Sequence, residues 1–402
     1  MLPLQTRQAF ERIGERVATW GCAVLMAFVA ACGGADSGGT GATPPTYTSG
    51  PITGFGSVIV GDVHYDDRSA NITDADGAAR TRDDLKLGMT TEIQGTRVVT
   101  DANAVSSSTA SSIVYSSAIV GAVTSIDPAA KTIAVLGQTV TVTATTVFDA
   151  ALANGLASLA PGDVIEVYAL AGNGANSYLA TRIERKAGAA AFVLRSAIAN
   201  LNTTAKTFDL GGLAVSYAGL PAGDTGTLAN GQFLRVQLPF APVGGVWAAT
   251  RLQSGVRAIG NHNDARVEGL ITFFNLSTQF SVDGVTVDAS HATFPDGTLG
   301  LALGVRVSVE GTVQGQVLLA TKVRIRSESQ IEIDGFELDG VISSIDTTAQ
   351  LFVVRGVTVD YSGSVEYRDG TVADLAAGRS VEVKGSLSNG GTRLQAQRIR
   401  LR

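Results

Sequence analysis

The residues able to do chemistry in this chain are few and scattered. Its three histidines, His64, His262 and His291, occupy unrelated positions, so they suggest neither a metal cluster nor a general base with a partner at fixed spacing. There is no Gly-x-Ser-x-Gly elbow and no His-Glu-x-x-His pair. Asp74 and Asp76 before Gly77 hint at a calcium loop, but position 83 holds Asp where the bidentate glutamate belongs, and Ile72 stands at the first ligand position. A polar turn is expected there. Gly54-Phe-Gly56 starts like a dinucleotide loop yet lacks the third glycine and a following helix. Asp83-Asp84 offers two carboxylates, but glycoside hydrolysis needs them at a set separation across the sugar. What does recur is positive charge. Arg182, Arg251, Lys322 with Arg324, and Arg398 with Arg400 alternate with Ile183, Leu252, Val323 and Ile399. If their strands stack in register they form a basic stripe able to meet anionic glycans or lipid head groups; otherwise they are a solvated face with local acids such as Glu184. No catalytic residue, metal or cofactor is expected, and an unmarked hydrolase is the minor alternative.

The elements that carry these cations repeat. A turn glycine between two alternating strands falls at Gly61, Gly137, Gly212, Gly284 and Gly356, and a second glycine, opening a later strand, at Gly88, Gly162, Gly231, Gly304 and Gly378. Four closing motifs, Ala180-Thr-Arg-Ile183, Ala249-Thr-Arg-Leu252, Ala320-Thr-Lys-Val323 and Ala396-Gln-Arg-Ile399, keep the same spacing of about 70–76 residues. The first copy ends on Ala110-Ser-Ser-Ile113 and diverges. In the second, Val120–Ile126 and Thr132–Leu136 alternate as half-buried strands do, and Gly137-Gln138 joins the latter to Thr139–Thr143. Leu152, Leu156 and Leu159 sit at helical spacing before Pro161-Gly162. Val164–Tyr168 and Tyr178–Glu184 complete the set. Three strands, a short helix and two strands is the order of an OB-like Greek-key barrel, which removes the exposed edges that five short strands would otherwise present. The fold expected is all-β: five tandem small OB-like barrels.

Gly50-Pro-Ile-Thr-Gly-Phe-Gly-Ser-Val-Ile-Val60, Leu85-Lys-Leu-Gly-Met89 and Glu92-Ile-Gln-Gly95 resemble the bacterial envelope repeats classed as domain of unknown function 5666. Later copies resemble it more loosely. The resemblance implies a bacterial envelope lipoprotein and brings no catalytic residue with it.

The N-terminus agrees. Arg7, Arg12 and Arg16 precede an apolar run from Val17 to Ala31, too short to span a bilayer, that ends in Val29-Ala-Ala-Cys32. This resembles a bacterial lipobox, in which the cysteine is diacylated and becomes the new N-terminus. Residues 1–31 are then signal and 32–49 a Gly/Ser/Thr/Pro tether reaching roughly 25 Å. Gly33 after the cysteine suits the outer membrane. With Cys22 in the signal and Cys32 acylated, the repeats hold no disulfide, so packing between copies must help barrels near the minimum size for one core.

Copies are expected at 50–116, 117–187, 188–258, 266–330 and 331–402, with a linker at 259–265 whose flexing would divide the array into three copies plus two. Trp247 and Phe273-Phe274 with Phe280 read as packing residues. Losing the signal leaves a net charge near −7, and aromatics make up only 6%, which argues against the basic, aromatic-lined groove of a single-strand nucleic-acid binder. The expected function is a lipid-anchored envelope protein serving as a binding, scaffold or spacing module. Its partners would be the membrane and an envelope protein or polysaccharide.

Overall fold

The computed structural model describes residues 46–172, 176–255 and 259–402, all within one compact unit. The expected signal, Cys32 and most of the expected tether lie outside the described residues.

The second copy shows how the alternating sequence closes into a barrel. Its five main strands are Ile119–Asp127, Thr132–Val135, Gln138–Thr141, Val164–Ala171 and Ser177–Arg185. Strand 1 pairs antiparallel with strands 2 and 4, strand 2 with strand 3, and strand 4 with strand 5. A parallel pairing of strand 3 with strand 5 completes the circle. This is the strand order of an OB barrel, and it leaves no free edge. The fourth copy (His262–Leu276, Gln279–Val282, Val285–Asp288, Arg306–Gln314, Val317–Ile325) repeats every pairing. So does the fifth, from Phe336–Asp346 to Arg393–Leu401. The first and third copies split one strand each: Thr46–Pro51 with Gly54–Phe55, and Trp247–Ala248 with Arg251–Ser254.

Both glycine series have a structural cause. Gly88, Gly162, Gly231, Gly304 and Gly378 all turn with φ between +79° and +92°, a region closed to most side chains. In each copy the glycine N–H donates to the carbonyl of one apolar residue in strand 1 (Ile52, Val123, Ile198, Ile271, Ile342), and that residue's N–H is bonded back just beyond the glycine. This pins strand 4 to strand 1 five times over.

Three expectations need correction. The helical spacing over Ala150–Leu159 yields two 3-10 turns, Ala150–Leu152 and Gly155–Ser158. Gly155 interrupts them at φ +56°, outside the right-handed helical region, and a Cβ there would lie 2.6 Å from the Gly390 carbonyl oxygen. The corresponding segments are a 3-10 turn in copies 1 and 5, a four-residue helix in copy 3, and no helix in copy 4. The expected tether ends early: Thr46–Ser49 is strand, paired on one side with Glu92–Gly95 and on the other, in parallel, with Asp264–Val267 of copy 4. The linker is strand too, because His262–Ala265 belongs to strand 1 of copy 4. A helix at Glu328–Asp334 instead separates copies 4 and 5, capped by Ser327, whose hydroxyl accepts from the Gln330 N–H.

The copies therefore do not follow one another as a linear array. Copies 1, 4 and 5 share one hydrogen-bonded strand network and copies 2 and 3 another. Phe55 of copy 1 pairs with Leu338 of copy 5, and Val120 of copy 2 with Val193 of copy 3. The hydrophobic cores merge accordingly. One runs through copies 1 and 5, a second through 2 and 3, and the third fills copy 4 and takes in Tyr47 of copy 1. The first two cores exceed what a 70-residue barrel could bury alone.

Candidate functional site

The first copy, though most divergent in sequence, touches all four others. Its turn at Asp74–Gly77 is the polar turn expected, and its role is contact. Asp74 binds Arg80, while Asp76 meets Arg235 at 2.7 Å and accepts from Gln237 of copy 3. Towards copy 2, the Leu87 carbonyl accepts from Arg182, and Gly88 packs so closely on the Thr181 carbonyl that a Cβ would sit 2.3 Å from it.

At the junction of copies 1 to 4 lies a cavity of about 330 Å³ with a mixed polar and apolar lining that includes Tyr47, Glu92, Arg195, Glu268 and Asp283. Arg195 of copy 3 forms an ion pair with Asp283 of copy 4 at 2.8 Å. Burial opposes the Arg195 charge, but Asp283 outweighs it and holds the guanidinium above its ordinary value. Beneath it Glu268 and Arg306 pair at 2.7 Å with side chains only 4% and 7% exposed. The Arg195–Asp283 pair joins copies 3 and 4, while Glu268–Arg306 is internal to copy 4.

A second, larger groove of about 730 Å³ runs between copies 1, 4 and 5 and the Glu328–Asp334 helix. Asp62, Asp296, Asp334 and Glu337 line it opposite His64, Arg324, Arg326 and Lys384. Arg326 takes Asp62 and Asp334, and Asp296 accepts from the Ile325 N–H. Glu337 is thus the one acid of the four with its charge unspent on these contacts, which falls short of the carboxylate pair a glycosidase uses. Burial holds its carboxyl above the ordinary value, helped by Glu382 and Asp339 and opposed by His64 and Lys384. A raised folded-state value favours folding below the unfolded carboxylate range and loses that contribution as pH rises through the folded value. Glu337→Gln should therefore raise the melting temperature at pH 7, and the gain should vanish below about pH 4. An unchanged or lowered melting temperature at pH 7 would refute this.

The six cations of the expected stripe are placed as follows. Arg182 is 7% exposed and paired with Glu184. Arg251 faces Asp76 at 3.5 Å, Lys322 pairs with Glu310, Arg398 with Glu366 and Arg400 with Asp369. Only Arg324, exposed at the groove, has no ion-pair partner among the described residues. Carboxylates thus neutralise most of the row, and one of them, Asp76, comes from another copy, where sequence spacing could not place it. The histidines stay apart: His64 lies 3.3 Å from Ser57, His262 is buried near Tyr47, and His291 is exposed. No His/Cys/Asp/Glu group able to hold a metal occurs among the described residues. Phe280 is core and Phe274 packs on it, but Phe273 points outward, 58% exposed. Trp247 packs half-buried against Phe192.

Strand order and the repeated glycine anchors define a protein of five tandem OB-like barrels. Residues 120–184, 268–324 and 339–400, within copies 2, 4 and 5, match the model of the family described as Domain of unknown function (DUF5666). Among solved structures the chain is similar to one described as "drosophila Unr CSD456", at 12% identity over 52% of this chain and 97% of that one, with a TM-score of 0.13. No curated protein matches.

Proposed function

We propose that this protein is a non-enzymatic, lipid-anchored scaffold of the bacterial cell envelope, held at the outer membrane through Cys32. The observation that carries the reading is the spending of binding surface on assembly. Strand edges, a turn acid and close-approach glycines of the first copy are used on its sibling copies, which answer with the buried Arg182 and Arg235, giving one large body with many outward loops. A body of this kind suits holding or spacing partners better than gating a reaction. Crosslinking in intact cells tests it, with wild-type protein compared with Cys32→Ala. A discrete protein captured only by the anchored form is the expected result. Equal capture by both forms, or none by either, would count against the scaffold.

A second reading, binding of envelope polysaccharide, is favoured by the polar groove that holds Arg324 without an ion-pair partner. Co-purifying sugar in place of protein in the same experiment would select it.

A further inference from the structure

Copy 3 departs from copies 2, 4 and 5 between strands 4 and 5. In copy 4 two residues, Gly315 and Gln316, make this connection; in copy 3 the strands end at Leu238 and resume at Trp247, leaving eight. No charged residue occurs from Leu238 to Thr250. Every residue from Phe240 to Val246 is exposed, with Val243 at 85%, Phe240 at 57% and Val246 at 39%. Yet the segment is ordered as a hairpin. Gly244 and Gly245 turn with φ of +58° and +81°, and Val243 and Val246 exchange both backbone hydrogen bonds at 3.0 and 3.1 Å. Phe240 stands edge-on to Phe192 at 5.2 Å.

An uncharged apolar tip whose Val243 and Val246 satisfy each other's backbone groups is better matched to a lipid boundary than to bulk water. Pro239 and Pro242 remove donors from its flank, which disfavours docking by strand addition to another protein. Aromatic rings at the base suit the headgroup level. A bilayer is also close at hand: thirteen residues separate Cys32 from Thr46, a reach of at most about 45 Å.

We infer that the Pro239–Val246 hairpin seats in the headgroup–acyl boundary of the anchoring membrane, as a second attachment beside the lipid. This rests on the anchored reading above. The mature protein, its single native cysteine acylated, is labelled at Ala241→Cys with an environment-sensitive fluorophore and mixed with phosphatidylethanolamine–phosphatidylglycerol vesicles. Emission should move to the blue and be quenched by brominated lipid. Val243→Asp, at a side chain with little contact in the fold, should cut the inserted fraction about ten-fold. Vesicle-bound protein whose label stays water-like would overturn the inference and leave the anchor standing. Failure to bind vesicles, with a water-like label at saturating lipid, would overturn both. A label already shielded without lipid would overturn it in favour of a protein contact.

Discussion

Valine at Gly311 is expected to cost about 3 kcal/mol of stability, the upper end of overpacking effects. Gly311 lies at the bulge where strand 4 of copy 4 crosses strand 5, and a Cβ there would sit 2.1 Å from the Leu319 carbonyl oxygen and 2.8 Å from its carbon. Both atoms are backbone, so no rotamer change relieves the clash. Gly385 stands in the same relation to the Gln395 carbonyl of copy 5, also at 2.1 Å, which makes Gly385→Val the matching test. Because strand 4 of copy 4 pairs with strand 1, and strand 1 with Thr46–Ser49, the damage should loosen copy 1 as well. Gly219→Ala, with nothing within 4 Å of the new Cβ, is the control and should stay within about 0.5 kcal/mol of wild type. Urea midpoints read both, and a Gly311→Val protein as stable as the control would refute the packing described.

Glu268→Gln should have a comparable effect through charge. The side chain keeps its shape, but Arg306, 7% exposed, loses the carboxylate at 2.7 Å and retains only Glu328 at 3.8 Å. Removing one partner of a buried pair typically costs about 3–5 kcal/mol, because the other charge stays buried without compensation. The lower end is expected here, since Glu328 gives partial relief. Adding Arg306→Met should restore at least half of the loss, because the orphaned charge is then gone. A double variant as unstable as the sum of both single ones would show the pair does not interact.

What could be read in advance was local. The five Gly88-type turns require a positive φ, so glycine marks them in sequence, and alternation at Thr132–Val135 shows as a half-buried strand. What could not be read was long-range. Thr46–Ser49 has tether composition, yet lies between two strands that supply its hydrogen bonds from residues far along the chain. Asn261–Asp264 looks like a turn for the same reason. Asp76 resembled an isolated turn acid because Arg235 and Arg251, which neutralise it, come from another copy. One signal was legible without a long-range partner: Ser327-x-x-Gln330 ahead of Ile331 is a helix N-terminal pattern, and a helix starts there. Leu152, Leu156 and Leu159 kept helical spacing, but Asn154-Gly155 between them broke the helix.

The central claim is that five barrels form one body around the first copy. Small-angle X-ray scattering on residues 33–402 tests it most directly. A compact body of this size should give a radius of gyration of about 21 Å, raised slightly by the N-terminal segment. A value on the order of 30 Å or more, as expected for barrels strung on flexible joints, would contradict the account.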